Sequence, residues 1–571
     1  MKRYTSSQYA AILVLSLLCI GLYLNSLNNS FHFDDHPNIL DNPHIRNLKD
    51  FSAFVKGVRA YVGTPRVLTM LTFAINYHFH KFNVWGYHLV NLILHLLCGI
   101  LAFFIARVLF YLESGKTRIP FDRKEDPDQL RINLLALLSA LIFISHPLQV
   151  NTVAYIVQRI EGLAAFFYLL SFFLFISGFP RRGWKRLLLL LGSGGSFFCA
   201  IFSKETGFTL PVTIAVFDFI FICKDNQDRL RRLRIYLPLS VILIAYLLFF
   251  LRGGVLHLLT EKSSEGIPPL RYLLTQANVI IQYFRLLFLP LPHWLNVDHD
   301  IPLSKSLFEY PTFLSVPMVL FLIALAVYLM NKRRLISFSL FFFFIVLAPS
   351  SSIMPLWDFM VEYRLYLPLF SFGLIVAVGI DYLYRFLTRY GSRKMAFGIV
   401  SGISVLLISF YSTLTIERNR VFKDGLTLWS DAAKKSPHKM RVHHNLGRAY
   451  FEKGRIDQAI QEGEIALRLS ANSDRRENVK YVLNLLGGSY FVMGRTDAAL
   501  GAFQRAIEVD PNFATSYYNV SCVLASRKEL EKALEHLKKA ISLDSKYKEK
   551  ARNDKDLDPL REDKQFLEMV N

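Results

Sequence analysis

Up to about position 416 the chain is a succession of apolar runs close to 20 residues long, and there they stop. A helix needs roughly 20 apolar residues to cross a bilayer core, where no water satisfies bare backbone groups. Residues 8–27, 85–111, 132–150, 153–178, 185–203, 207–223, 235–252, 311–330, 335–350, 364–384 and 395–416 meet that demand, about eleven spans. The pattern predicts an all-α chain: a polytopic membrane bundle over 1–416, then a soluble region over 420–571. Met1-Lys2-Arg3 before the first run would also suit a signal peptide. No small-residue cleavage site follows, so the run reads as an uncleaved helix.

Composition supports this. Of 571 residues 53% are hydrophobic and 19% charged, against about 25% charged in soluble domains. An ordinary cytosolic enzyme is excluded, and so is a disordered chain, which lacks apolar bulk. The net charge of +21 would suit a nucleic-acid partner. However, Lys and Arg cluster at 2–3, 116–131, 181–186, 224–234, 332–334 and 385–394, beside the apolar runs. Retention of positive loops in the cytoplasm explains them without nucleic acid. Four of the five cysteines lie inside apolar runs and no Cys-x-x-Cys occurs, so neither a disulfide framework nor a zinc site is implied.

Loop charge also orients the bundle. The stretch 273–292 is apolar but carries Gln276, Asn278, Gln282 and Arg285. All six basic clusters share one side only if this stretch does not span. The N-terminus is then cytoplasmic, the C-terminal region lies outside, and 273–292 lies along the outer surface or re-enters. The outer loop 28–84 carries two amphipathic pieces, near 48–58 and 66–82, of the kind that lie parallel to a membrane.

Beyond residue 420 a repeat is visible. Asn445-Leu446-Gly447, Ala449-Tyr450, Gly454-Arg455, Ala459-Ile460 and Ala466-Leu467 return as Leu485-Leu486-Gly487, Ser489-Tyr490, Gly494-Arg495, Ala499-Leu500 and Ala506-Ile507. A third copy holds Asn519-Val520, Ala533-Leu534 and Ala540-Ile541. The second spacing, about 34 residues, is the tetratricopeptide period. The first is longer because Asn472–Lys480 is inserted. Three repeats near 441–470, 480–510 and 514–544 predict an α-solenoid, with 424–436 leading in and Leu557–Leu567 closing it.

Polar residues gather at the outer ends of the spans. Asp34 and Asp35 follow the first. His88, Asn91 and His95 share one helical face. His146, Gln149, Asn151, Gln158, Arg159 and Glu161 follow, then Lys204-Glu205, then Glu362 and Arg364, with Arg66 in the first loop. Each alone has a structural reading, as a local ion pair or a satisfied core histidine. Ionisable groups within spans are costly and usually line a cavity. Cations beside two carboxylates suit a chemistry in which the cations hold a phosphate and a carboxylate removes a proton.

These residues carry a family resemblance. Asp34-Asp35 resembles the acidic pair of protein O-mannosyltransferases and their relatives with the GT-C fold. His146-Pro-Leu-Gln-Val-Asn-Thr-Val-Ala-Tyr-Ile-Val-Gln-Arg159 is similar to a signature of the transmembrane and tetratricopeptide-repeat-containing O-mannosyltransferases. So are Tyr87-His88-Leu-Val-Asn91 with His95, Lys204-Glu205-Thr, and Glu362-Tyr-Arg364-Leu-Tyr-Leu-Pro. The chain departs from the pattern at Glu161 and Asn151, and looks closest to bacterial members. The resemblance implies a bacterial inner-membrane glycosyltransferase with its repeats outside the cytoplasm. A polyprenyl-phosphate sugar would be the donor and a Ser or Thr hydroxyl of a protein the acceptor. Asp34 would deprotonate the acceptor and Asp35 orient it or bind the acceptor backbone. Arg159 and Arg364, then Lys204 and Arg66, would hold the donor phosphate. His88, Asn91, His146, Gln158, Glu161, Glu205 and Glu362 would support the site. One displacement at C1 would invert the anomeric centre, and the repeats would recruit the acceptor or a partner. No ligand set demands a metal, although a divalent ion bridging Asp34 or Asp35 to the donor is compatible. A non-enzymatic repeat scaffold needs only one anchor helix. A transporter or glycan-polymer ligase is the other alternative, and transporters tend to show internal symmetry, which residues 1–416 lack.

Overall fold

The computed structural model describes residues 6–48, 51–62, 66–115, 127–223, 227–232, 234, 267–352, 355–470 and 478–570. Every regular element among them is helical. The chain divides into two compact units, Met1–Asp424 and Gly425–Asn571.

Among the described residues of the first unit, seven helices are long and apolar enough to cross a membrane: Ser7–Ser26, Val84–Glu113, Ile156–Gly178, Glu205–Ile222, Thr312–Leu329, Leu369–Tyr390 and Arg393–Val421. An eighth results if Gln129–Ser145 and Pro147–Val153, which meet at a 50° bend, are one span. About eleven were expected, and each shortfall has a cause. The stretch 235–252 lies outside the described residues. The helix Gly183–Ile201 is diluted by Lys185, Arg186 and a Gly/Ser run. Arg334–Leu347 has 14 residues, about 21 Å at 1.5 Å per residue, short of a core of roughly 30 Å.

The stretch 273–292 folds as the helix Pro269–Phe288 and is not among the candidate spans. Its polar face is used internally. Gln276 donates to the Phe359 carbonyl (3.0 Å) and Tyr283 to that of Val361 (2.9 Å). The two amphipathic pieces of the first outer loop are helices as well, Phe51–Val62 and Val67–His80. Their apolar faces meet in one core containing Phe54, Val58, Met70, Phe73 and Tyr87. Close helix contact explains Gly373, where a Cβ would stand 2.6 Å from the Ser139 carbonyl oxygen.

The second unit is a stack of helix pairs. Gly425–Lys435 leads in, followed by Met440–Glu452 with Ile456–Ser470, Val479–Val492 with Thr496–Val509, and Ala514–Ser526 with Leu530–Leu543. Of the insertion Asn472–Lys480 between the first two repeats, residues 472–477 lie outside the described residues. Gly454 and Gly494 turn each pair with φ of 71° and 73°, and Lys528 takes φ 65° at the matching place. A Cβ at Gly487 would collide with the Phe503 ring at 2.5 Å. Leu557, Leu560, Phe566 and Val570 close the far end of the core.

Candidate functional site

The acidic pair sits on a tight turn. Phe33 adopts φ 33°, a left-handed conformation rare for an aromatic residue. The Asp35 N–H donates to the His32 carbonyl (2.7 Å) and the His36 N–H to that of Phe33 (3.1 Å). The turn is tied to the end of the last span. Ser30 N–H donates to the Lys423 carbonyl (3.0 Å), and His32 Nε2 lies 2.8 Å from the Phe422 carbonyl.

The two carboxylates have different surroundings. Asp35 is 0% exposed. One oxygen accepts from the His32 N–H (2.8 Å) and the other from the Val157 N–H (2.6 Å). It locks the turn to the segment that opens the Ile156–Gly178 span. Asp34 is half-buried, and its backbone N–H donates to the Tyr155 hydroxyl (2.9 Å). Burial pushes the Asp35 carboxyl up to about 8, against the pull of its two N–H donors. The folded chain therefore retains a proton that the unfolded chain releases above about pH 4. Asp35's contribution to stability is complete below that pH and is lost as pH rises toward 8. The apparent Tm in detergent should accordingly fall from pH 5 to pH 8 less steeply in Asp35→Asn than in the parent. That variant should also be less stable by about 1–3 kcal/mol, because its amide cannot accept both N–H groups. Parallel pH profiles would overturn the assignment.

A second group assembles opposite. Lys204 and Glu161 form an ion pair in which both side chains are almost wholly buried. Lys204 Nζ lies 5.4 Å from the centre of the Tyr363 ring, within cation–π range. Asp34, Glu161, Asp358 and Arg364 all act on the Tyr363 hydroxyl, which burial above all pushes upward. Arg364 is half-buried and donates to the Phe359 carbonyl (3.2 Å). Burial lowers its pKa, yet Tyr283, Tyr363, Tyr272 and Asp358 together raise it further. Arg66 reaches the exposed Glu205 at 3.8 Å. Asp34, Glu161, Lys204, Tyr363 and Arg364 thus share one neighbourhood, with Arg66 and Glu205 as a neighbouring pair.

Other expected site residues are built into the frame. Arg159, expected at the donor phosphate, is 1% exposed. Its guanidinium donates to Asn91 Oδ1 (2.7 Å), Asn76 Oδ1 (2.6 Å), Thr72 (3.3 Å) and the Tyr87 carbonyl (2.9 Å). Asn91 also donates to the carbonyls of Val153 and Ile156. His88 Nε2 meets the Asn29 carbonyl at 2.9 Å, and His95 bonds the Tyr366 hydroxyl. His146 accepts the Leu148 N–H and meets the Leu287 carbonyl. Gln158 is buried beside Arg159. Glu362 is 0% exposed and takes Arg418, His299 and the Asn296 N–H. Desolvation opposes its charge, but Arg418 and His299 hold it below the usual carboxylate range.

Tyr155, Tyr363, Tyr283 and Arg418 escaped the sequence reading. The signal for the first two was present, since Tyr155 lies inside the 146–159 string and Tyr363 between Glu362 and Arg364. Among the described residues one trio of potential metal ligands gathers, Cys522, Asp554 and Asp556 in the repeat unit, and none gathers around Asp34. The repeat unit also holds a cavity of about 470 Å³ lined by Tyr481, Asn484, Asn519 and Lys550.

Tetratricopeptide-repeat profiles match residues 439–512 and 484–548. Over most of its length the chain is similar to curated proteins named protein O-mannosyl-transferases. TMTC4 of Homo sapiens is 27% identical, covering 79% of this chain and 65% of that protein. Tmtc3 of Drosophila melanogaster is 24% identical, covering 94% and 64%. TMTC1 of Homo sapiens is 26% identical, covering 80% and 54%. The chain thus spans less than two thirds of the length of these relatives. With its apolar helices, it is a multi-pass membrane protein carrying tetratricopeptide repeats and similar to these transferases.

Proposed function

We propose that the chain is a membrane glycosyltransferase that moves a sugar from a polyprenyl-phosphate donor to a Ser or Thr hydroxyl of a protein. The observation that carries this reading is Lys204 lying 5.4 Å from the ring of Tyr363, the neighbour of Arg364 in sequence, with the charge of Asp34 acting on the same hydroxyl. The names of the relatives favour mannose as the sugar and a protein as acceptor.

In this mechanism the Asp34 carboxylate takes the proton of the acceptor hydroxyl. The acceptor oxygen then attacks C1 of the sugar as the C1–O bond to phosphate breaks, which inverts the anomeric centre. The electron pair leaves on the polyprenyl phosphate. A phosphate leaving group requires cations and no general acid, and Arg364 and Lys204 supply them, with Arg66 at the margin. Glu161 holds Lys204 in place, Tyr155 fixes the backbone of Asp34, and Asp35 holds the turn. Arg159 supports the frame. Loop charge favours a reaction outside the cytoplasm, and the resemblance of the Tyr155–Arg159 string to bacterial members favours a bacterial inner membrane. The repeats hold the acceptor or a partner on their inner surface, as repeat arrays commonly do.

The test uses purified full-length chain with polyprenyl-phosphate mannose and Ser/Thr peptides. Transfer is expected, with an inverted product by NMR. Arg364→Ala should weaken donor binding roughly 10- to 100-fold, the worth of one or two charge-assisted hydrogen bonds. Unchanged donor affinity in that variant would overturn the phosphate assignment. Absence of any transfer with an otherwise folded chain would overturn the reaction class.

A further inference from the structure

The bundle has a second polar end. On the helix Val84–Glu113, Asn91 belongs to the frame of the Asp34 site and Glu113 lies 22 residues later (113 − 91), about 33 Å along the axis. At the Glu113 end is a cavity of about 280 Å³ lined by Glu113, Arg131, Lys332, Arg333, Asp381 and Arg385. Four cations face two carboxylates there. Arg131 and Arg385 share Asp381. Lys332 and Arg333 are exposed and lie within 4 Å of no carboxylate among the described residues, although Arg333, with Arg334 and Arg385, acts on Glu113 across the cavity. Lys332 rests on the Tyr328 hydroxyl at 2.5 Å, and Arg333 lies 4.9 Å over the Tyr382 ring.

This cavity adjoins an apolar groove, with the paired Arg131 and Asp381 between them. Arg131, Leu135 and Asp381 line both. The groove, about 400 Å³, runs between the helices Pro127–Ser145, Leu369–Tyr390 and Arg393–Val421, past Leu134, Leu138, Val405 and Ile408. From Phe397 to Ile408 is 11 residues (408 − 397), about 16 Å at 1.5 Å per residue, which is most of an extended acyl chain. Val405 is 63% exposed and Phe397 52%, so this wall faces the hydrocarbon of the membrane.

We propose that this groove and cavity form a binding site for an anionic phospholipid, at the end of the bundle opposite Asp34. An acyl chain lies in the groove and the phosphate headgroup meets Lys332 and Arg333. The two features explain each other: a basic cavity without the groove would take any small anion, and the groove alone any lipid. Basic pockets between spanning helices are suited to anionic headgroups. The site goes beyond sugar transfer, does not depend on it, and makes the chain sensitive to the charge of its membrane.

The experiment is native mass spectrometry of the delipidated full chain titrated with phosphatidylglycerol or phosphatidylcholine. Phosphatidylglycerol should bind with discrete stoichiometry and at least tenfold more tightly. Lys332→Ala with Arg333→Ala should remove roughly a tenfold preference or more, at about 1 kcal/mol per cation near a charged surface. Ser401→Trp, which fills the groove and spares the cations, should also weaken binding. Arg389→Ala with Lys394→Ala, at the same end but outside both cavities, should not. Equal binding of the two lipids, or full phosphatidylglycerol binding by the Lys332/Arg333 variant, would overturn the proposal. Displacement of the lipid by low millimolar inorganic phosphate would assign the cavity to a small anion and overturn it as well.

Discussion

Asp34→Asn should reduce sugar transfer by roughly 10²- to 10⁴-fold, the usual worth of a general base, while donor binding stays within a factor of two or three. The contrast follows from how Asp34 is held. Its link to Tyr155 runs through its own backbone N–H, which the substitution leaves intact. Asn has the same shape, so the turn at Phe33 and the lock through Asp35 persist. The substitution removes the capacity to take a proton. Donor affinity is carried by Arg364 and Lys204 on other segments, so it should survive. Single-turnover transfer with saturating donor, beside a donor-binding isotherm, checks both halves. Undiminished transfer would remove Asp34 from the chemistry. Loss of transfer together with loss of donor binding would make it part of the donor pocket instead.

The sequence exposed the acidic pair but not the division of labour inside it. Asp34 and Asp35 are adjacent and identical in kind. Which one is buried depends on the Val157 N–H, 122 positions away, and no local pattern encodes that. The face of His88, Asn91 and His95 was legible because helical period places them together. Their partners, the Asn29 carbonyl, Arg159 and the Tyr366 hydroxyl, come from three distant segments, so a row that resembles a site is instead a seam between helices. Gln276 was ambiguous for a related reason. Polar groups in an apolar stretch argue against spanning, and only the fold shows that they hold the loop carrying Arg364. The repeats were easier to read, because small residues such as Gly447 and Ala459 and turns such as Gly454 act within one helix pair. Length and hydropathy disagree at Arg334–Leu347, which is apolar but has only 14 residues.

Arg159 is where the functional and structural readings diverge most, and its substitution should be costly in a way that separates them. The guanidinium engages four acceptors and lies 4.5 Å over the Phe73 ring and 5.7 Å over that of Tyr87. Arg159→Ala would strand Asn91 and Asn76 without their donor inside the bundle and leave a void between the first outer loop and the spans. Removing one member of such a buried network costs about 3–5 kcal/mol. The variant is expected at much reduced yield, with a clearly lower Tm. Arg159→Lys should recover only part of this, because an ammonium cannot reproduce a planar fork aimed at several acceptors. In the fraction that folds, donor affinity should match the parent, since the groups assigned to the phosphate lie elsewhere. Arg364→Ala should show the converse pattern, with an ordinary Tm and weak donor binding. If Arg159→Lys were as stable as the parent and bound donor poorly, the phosphate would belong to Arg159, and its network would be a device for aiming it.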